Sequence, residues 1–218
     1  TSLGSVMLPR VSNLLSSGNQ KAVNKLHEIS FLVYNLVIFP MIAGILIVNK
    51  DFVNFFLGQD FQDARYAIAI MVFRMFFIGW TNIMGIQILI PHNRNREFML
   101  STTIPAVFSV GLNLLLIPPL GYIGASIVSV ATEGLVWLIQ LYFTRSYLKE
   151  VKILPSMLKI LLAALLMYGV LYSVQAFIHF SSVVNVLIYA VLGFLVYGGL
   201  VLVLRVLDFQ ELKSVLKK

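Results

Sequence analysis

The sequence predicts an all-α, polytopic helical membrane protein. Three observations predict it. Of the 218 residues, 59% are hydrophobic and only 11% charged, with a mean hydropathy of +0.92, whereas a soluble domain carries about 25% charged residues. Six apolar stretches each approach the roughly 20 residues that an α-helix needs to cross a bilayer. The runs are continuous and lack the alternation of a membrane barrel strand, and lipid permits only helices or closed barrels to span it.

The elements follow in order. Residues up to about Leu8 read as the last turns of a helix without a beginning. Thr1 is not methionine and no signal-peptide pattern follows it, so the chain is expected to be the C-terminal part of a longer protein. Full spans are expected at Ile29–Asn49, Ala67–Ile90, Met99–Pro118, Gly121–Phe143, Pro155–Phe177 and Val184–Leu204. Short connections make neighbouring helices antiparallel. Pro40 and Pro105 lie inside spans, where each removes a backbone bond and is expected to kink its helix. The longest connection on the side poor in basic residues, Lys50–Tyr66, is rich in aromatics and suits a short helix lying in the interface.

The net charge of +7 follows from topology. The connections at Arg10–Glu28, Pro91–Phe98 and Thr144–Lys159, with the tail from Arg205, hold thirteen Lys and Arg; the alternate connections hold only Lys50 and Arg65. This bias places the basic connections and the C-terminus in the cytoplasm. A basic face meeting anionic membrane lipids is compatible with it, and no nucleic-acid partner is needed to explain the charge. There is no cysteine, and His27, His92 and His179 lie in separate connections, which argues against a metal site. No phosphate-binding loop and no nucleophile–base pair is present. The expectation is a non-enzyme without a cofactor.

Two charges interrupt the apolar runs. Glu133 shares a helix face with Tyr122, Ser126, Ser129, Trp137 and Gln140, while Val128, Ala131, Leu135, Leu138 and Tyr142 lie opposite. A charge at mid-bilayer costs about 2.5–3.5 kcal/mol on insertion scales, so the acid must have partners. It holds helices together, titrates on a cavity wall, or lies nearer the interface than its place in the run suggests. Gly121, Ala125 and Ser129 have the small-xxx-small spacing that lets another helix approach. Arg74, with Thr81 and Gly85 on its face, lies seven residues into its expected helix, roughly 10 Å deep. It either snorkels to the interface or faces inward to pair with an acid or bind an anion. Glu133, twelve residues in, lies roughly 18 Å deep, so the two are expected to meet only with stretched side chains. Asn82, Gln87 and Asn113 are milder polar interruptions, of the kind that bonds neighbouring helices.

Four phrases then occur in order: "LGSVMLPRVS" (Leu3–Ser12), "FFLGQDFQDA" (Phe55–Ala64), "GIQILIPHNRNR" (Gly85–Arg96) and "LNLLLIPPLGYIGASIVSVATE" (Leu112–Glu133). Together they resemble the C-terminal half of bacterial polysaccharide flippases. These are the O-antigen and capsular repeat-unit exporters of the multidrug/oligosaccharidyl-lipid/polysaccharide exporter superfamily. The resemblance covers about Leu3 to Arg145; the last two helices match in number and hydrophobicity. It implies a fourteen-helix transporter of the bacterial cytoplasmic membrane, of which this chain is the end of helix eight and helices nine to fourteen. Residues 1–145 would complete the C-terminal lobe, and 146–218 would hold the last two helices and a basic cytoplasmic tail. The substrate it implies is an undecaprenyl-diphosphate-linked oligosaccharide, moved by alternating access with a coupling ion such as a proton or sodium. Glu133 carries over as a recurrent residue of the family phrase; Arg74, Ser126, Ser129 and Gln140 join it as pathway candidates on physical grounds alone. Two other readings stay open: a glycan polymerase or ligase acting on lipid-linked sugars, and a drug exporter of the same superfamily.

Overall fold

The computed structural model describes residues 2–177 and 180–206. Calls on His179 and on the tail lysines Lys213, Lys217 and Lys218 lie outside them. The described residues form helices and connections and no strand. The first helix, α1, covers Ser2–Ser16, and α2 covers Gln20–Phe56. A single tight turn at Gln59–Phe61 precedes α3, Ala64–Met71. Then come α4, Arg74–Asn82, continued by a π-helical stretch at Ile83–Leu89, and α5, Asn95–Leu148. The last two are α6, Leu154–Gln175, and α7, Ser182–Val203.

Five stretches among the described residues are long and apolar enough to span a membrane. One of them, α5, supplies two of the six expected spans. Its 54 residues would extend roughly 80 Å if straight, against a hydrocarbon core of about 30 Å. Gly121 breaks it, with φ 54° and ψ −132°, a backbone conformation open to glycine. The chain reverses there. A methyl group on Gly124 would come within 2.7 Å of the Leu116 carbonyl carbon, although eight helical residues would separate the two by roughly 12 Å. Gln140 also bonds Ser101 across the same bend. The consecutive Pro118 and Pro119 just before Gly121 favour the turn.

Other boundaries differ from the sequence reading. With 37 residues, α2 outruns its expected span at both ends and absorbs much of the connection where an interfacial helix was expected. Only the turn at Gln59–Phe61 remains separate. Pro40 and Pro105 both sit within unbroken helix. The helix after that connection begins at Ala64, three residues earlier than expected.

The chain packs as two units. One combines residues up to Tyr34 with Tyr66–Ile153; the other combines Asn35–Arg65 with the residues from Leu154 on. The sequence reading put a division at 145/146. In the packing the C-terminal half of α2 joins the last two helices, because one long helix offers each of its halves a different set of neighbours. In the second unit Ala43 and Ile47 of α2 meet Met167, Leu171 and Tyr189 of α6 and α7. Asn185 donates to Asp51 (3.3 Å), and the Tyr197 hydroxyl to the Leu36 carbonyl (2.8 Å). The first unit buries Val11, Val23, Phe31, Ile83, Met84, Ile88 and Leu89. Large apolar side chains such as Val107, Leu114 and Leu115 stay exposed, as lipid-facing surface requires.

Candidate functional site

The site lies wholly within the first unit. Arg74 opens α4 just after an irregular stretch. Phe73, Met75 and Phe76 each donate their N–H to the carbonyl three residues back, at 3.2–3.3 Å, instead of four. These tighter turns change the direction of the side chains that follow. The Arg74 guanidinium donates through Nε (3.3 Å) and Nη2 (2.8 Å) to Glu133 Oε1. Both bonds fall on one carboxylate oxygen, so Oε2 and Nη1 lie outside the pair's two bonds. The side chains are 39% and 20% exposed.

The pair was expected to require stretched side chains, because the depths differed by roughly 8 Å. The difference shrinks once the helices are seen. From Ala64, Arg74 is ten residues deep, roughly 15 Å; from Tyr122, Glu133 is eleven, roughly 16 Å. Three residues of the discrepancy come from the start of α3 and one from counting the second arm of α5 from Tyr122 instead of Gly121. The pair also decides between snorkelling and pairing for Arg74 in favour of pairing.

Arg74 and Glu133 face a cavity of about 570 Å³ formed by α4, the π-helical stretch and both arms of α5. Thr81, Asn82, Thr102, Ser109, Thr132 and Gln140 supply its remaining polar lining, among Ile78, Ile86, Phe98, Ala106 and Val136. The hydroxyls of Thr81, Thr102, Ser109 and Thr132 donate to their own helices, at Ile78, Met99, Ala106 and Val128. Their donors are thereby spent, while their oxygens keep lone pairs for a further donor. Gln140 is buried, donates to Ser101 Oγ at 3.1 Å, and has no bonded partner at Oε1. Behind the pair lies an aromatic group. Trp137, one turn from Glu133, meets Phe77 at 5.8 Å, Phe76 at 6.2 Å and Trp80 at 6.2 Å between ring centroids. Such low-polarity surroundings strengthen the electrostatics of the pair.

Of the candidate residues, the structure thus brings Arg74, Glu133 and Gln140 to one cavity. Ser126 and Ser129 do not line it. Ser126 is buried near the α5 bend and donates to the Tyr122 carbonyl at 2.9 Å; Ser129 is half-buried. Of the residues assigned to the opposite face, Leu138 and Tyr142 are exposed, but Val128 is buried. Gly85, on Arg74's face, approaches the Phe98 ring and Gln140 so closely that a methyl group would lie 2.6 Å and 3.1 Å from them. The sequence reading missed Thr102 and Ser109. Their signal was present, since Thr102, Ala106 and Ser109 are spaced to form one small, polar face. Among the described residues no group of three His, Cys, Asp or Glu could hold a metal ion.

Apolar helices of spanning length around a partly polar cavity with a charged pair define a polytopic helical membrane protein. The family model of the lipid II flippase MurJ matches residues 1–192, and the chain belongs to that family. The family is a flippase family of the superfamily that the four sequence phrases resemble. A Haloferax volcanii protein whose description names a low-salt glycan biosynthesis flippase is 22% identical over 216 residues, covering 99% of this chain and 45% of its own. An Escherichia coli (strain K12) protein whose description names an O-antigen transporter is 29% identical over 148 residues, 63% of this chain and 33% of its own. A solved structure of the lipid II flippase MurJ in an inward closed conformation matches 97% of this chain and 43% of that chain. Its TM-score is 0.76 at 17% identity, which shows the fold. The chain spans less than half the length of these proteins.

Proposed function

We propose that this chain is part of a flippase that carries a lipid-linked glycan across the cytoplasmic membrane. The substrate class is an undecaprenyl-diphosphate-linked oligosaccharide, and the mechanism is alternating access. The observation that carries the reading is the Arg74–Glu133 pair on a partly polar cavity between spanning helices, in a chain of the MurJ family. Charged groups within spanning helices mark substrate and ion pathways.

The task makes and breaks no bond, so it needs binding groups and no catalytic constellation. Arg74 offers guanidinium donors to a diphosphate, for which its planar fork is suited. Asn82 and the hydroxyl oxygens of Thr81, Thr102, Ser109 and Thr132 suit the hydroxyls of a sugar. Glu133 is the group for a coupling ion, a proton or sodium. The thirteen-to-two charge bias supports basic connections and a C-terminus in the cytoplasm.

The test uses the intact protein in cells that depend on it for surface glycan. Glu133→Gln keeps size and hydrogen bonding and removes ionisation; Glu133→Ala removes both. Both are expected to abolish surface glycan while protein still reaches the membrane. Arg74→Gln is expected to do the same through lost anion binding. Normal export by Glu133→Gln and Arg74→Gln at normal expression would reject the reading of this cavity as the pathway.

A further inference from the structure

Pro91 follows the π-helical stretch and leaves one backbone carbonyl short of a donor. A carbonyl within a helix takes its hydrogen bond from an N–H three to five residues further on. For the Gln87 carbonyl those residues are Ile90, Pro91 and His92. Ile90 donates to Gly85 at 3.1 Å and His92 to Ile88 at 3.3 Å, and proline has no N–H. The donor comes instead from α2, where His27 Nε2 lies 3.2 Å from the Gln87 carbonyl oxygen. A carbonyl only accepts, so Nε2 carries the hydrogen and Nδ1 keeps a lone pair. Three residues along the same face of α2, Ser30 donates to Gln87 Oε1 at 2.7 Å. Two side chains of α2 thus hold both oxygens of one residue, and all three residues are buried. The stretch they hold is part of the cavity wall. Asn82, just before it, and Ile86 within it line the cavity, and Gly85 lies against Phe98 and Gln140 on the other side.

We infer that His27 is a positioning residue for the cavity: its Nε2–H replaces the backbone donor that Pro91 lacks and so holds the π-helical wall in place. The inference rests on the reading of this cavity as the pathway. Stability alone gives no reason for the contact. His27 Nδ1 and Gln87 Nε2 are buried without a hydrogen-bond partner among the described residues, and each such group costs stability that an apolar contact of the same shape would not. A polar contact adds direction. It fixes Gln87 at two points, and with it the wider turn that distinguishes a π-helix from an α-helix. A stretch released to regular α-helix takes up one residue fewer, which turns the segments on its two sides by about 100° relative to each other. Arg74 and Asn82 stand on one side of the stretch and the connection to α5 on the other. The close approach of Gly85 to Phe98 and Gln140 leaves no slack to absorb that turn.

An N–H returned to position 91 can serve the Gln87 carbonyl without His27, and this supplies the test. The variants, made in the full-length protein, are His27→Leu, His27→Gln, and His27→Leu combined with Pro91→Ala. Two quantities are read: hydrogen–deuterium exchange by mass spectrometry over the peptide containing Ile83–Arg94, and export in cells. His27→Leu is expected to exchange about tenfold faster, the effect of losing one hydrogen bond, with export lowered by a similar factor. His27→Gln keeps an N–H at the reach of Nε2 and should stay near the parent in both. Pro91→Ala should restore both quantities to His27→Leu, a rescue that a role in packing alone does not predict. Parental exchange in His27→Leu overturns the inference, as does a defect in either quantity that Pro91→Ala leaves in place. Equal losses in His27→Gln and His27→Leu overturn it as well. If His27→Leu does not reach the membrane, the double variant decides: restored protein and export support the inference, and an equal loss overturns it. If Glu133→Gln and Arg74→Gln export normally, the pathway reading fails, and the exchange measurement with its rescue alone decides on His27.

Discussion

Replacing the two members of the ion pair, singly and together, should give strongly non-additive losses of stability. The magnitude can be worked from the geometry. Two unit charges about 4 Å apart interact by about 4 kcal/mol at an effective dielectric of about 20. Solvent reduces this. Fully exposed pairs contribute about 0.2–1 kcal/mol, while breaking a buried pair costs about 3–5 kcal/mol. With the carboxylate side chain 20% exposed and the guanidinium 39%, a coupling of about 2 kcal/mol lies between those limits. Arg74→Gln leaves the carboxylate without its cation, and Glu133→Gln leaves the guanidinium without its anion. The double variant removes both charges, so it should be no less stable than the worse single variant. For a chain of this size about 1 kcal/mol corresponds to roughly 2–4 °C in Tm, so each single change should lower Tm by several degrees. The assay is thermal unfolding of the detergent-solubilised protein, followed by tryptophan emission, with Trp137 one turn from Glu133 and Trp80 against Trp137. Losses that add within about 0.5 kcal/mol would show that the charges do not interact, and would refute the site geometry.

Two further outcomes follow from the fold. Gly124→Ala should destabilise the protein by about 1–3 kcal/mol, because its methyl group meets the backbone of Leu116, which cannot swing aside as a side chain can; a melting temperature equal to that of the parent would contradict the tight bend at Gly121. The absence of cysteine allows single-cysteine labelling without background: Asn93→Cys and Ser146→Cys should resist an impermeant thiol reagent applied outside, and Ser181→Cys should react. Labelling of Asn93→Cys from outside would reverse the proposed orientation.

The number and order of spans were legible because lipid imposes a length on every helix, and hydropathy records that length. Glu133 was legible for the opposite reason, as a charge where charges are costly. Irregular structure left weaker marks. Nothing in "IAIMVFRMFF" announces the tight turns around Phe73, since every residue there is an acceptable helix former. The π-helical stretch is equally silent, and its apolar residues read as plain helix. The pairing of Arg74 with Glu133 was misjudged for a related reason. Depth was counted from helix starts inferred from hydropathy, and the polar "QDAR" before Tyr66 hid the first turn of α3. The division of α2 between two units had no signal at all, because a hydropathy profile records that a residue faces something apolar and not which helix it faces. Ser126 and Ser129 show the limit of helix-face arguments. They share a projected face with Glu133, yet along the second arm of α5 that face passes from its own bend to the cavity, and its neighbours change with it.

Arg74 explains how Glu133 is tolerated, but not why either charge is present. An ion pair in low-polarity surroundings is often no more stable than well-packed apolar side chains of the same size. Stability alone would therefore favour leucine and methionine at these positions. What distinguishes the cavity is its balance of hydrogen-bonding groups. Four hydroxyls have donated inward to their own helices, and Gln140 spends an N–H on Ser101. The hydroxyl oxygens remain as acceptors, and so does Glu133 Oε2. The donors are concentrated in Arg74 and the Asn82 amide. Under the proposed function, the hydroxyl acceptors and the one cationic corner on this otherwise apolar wall would suit a molecule with hydroxyl donors and one anionic end. Under the proposed function the pair would have a reason of its own: the carboxylate would keep the guanidinium paired and oriented until a phosphate competed for it.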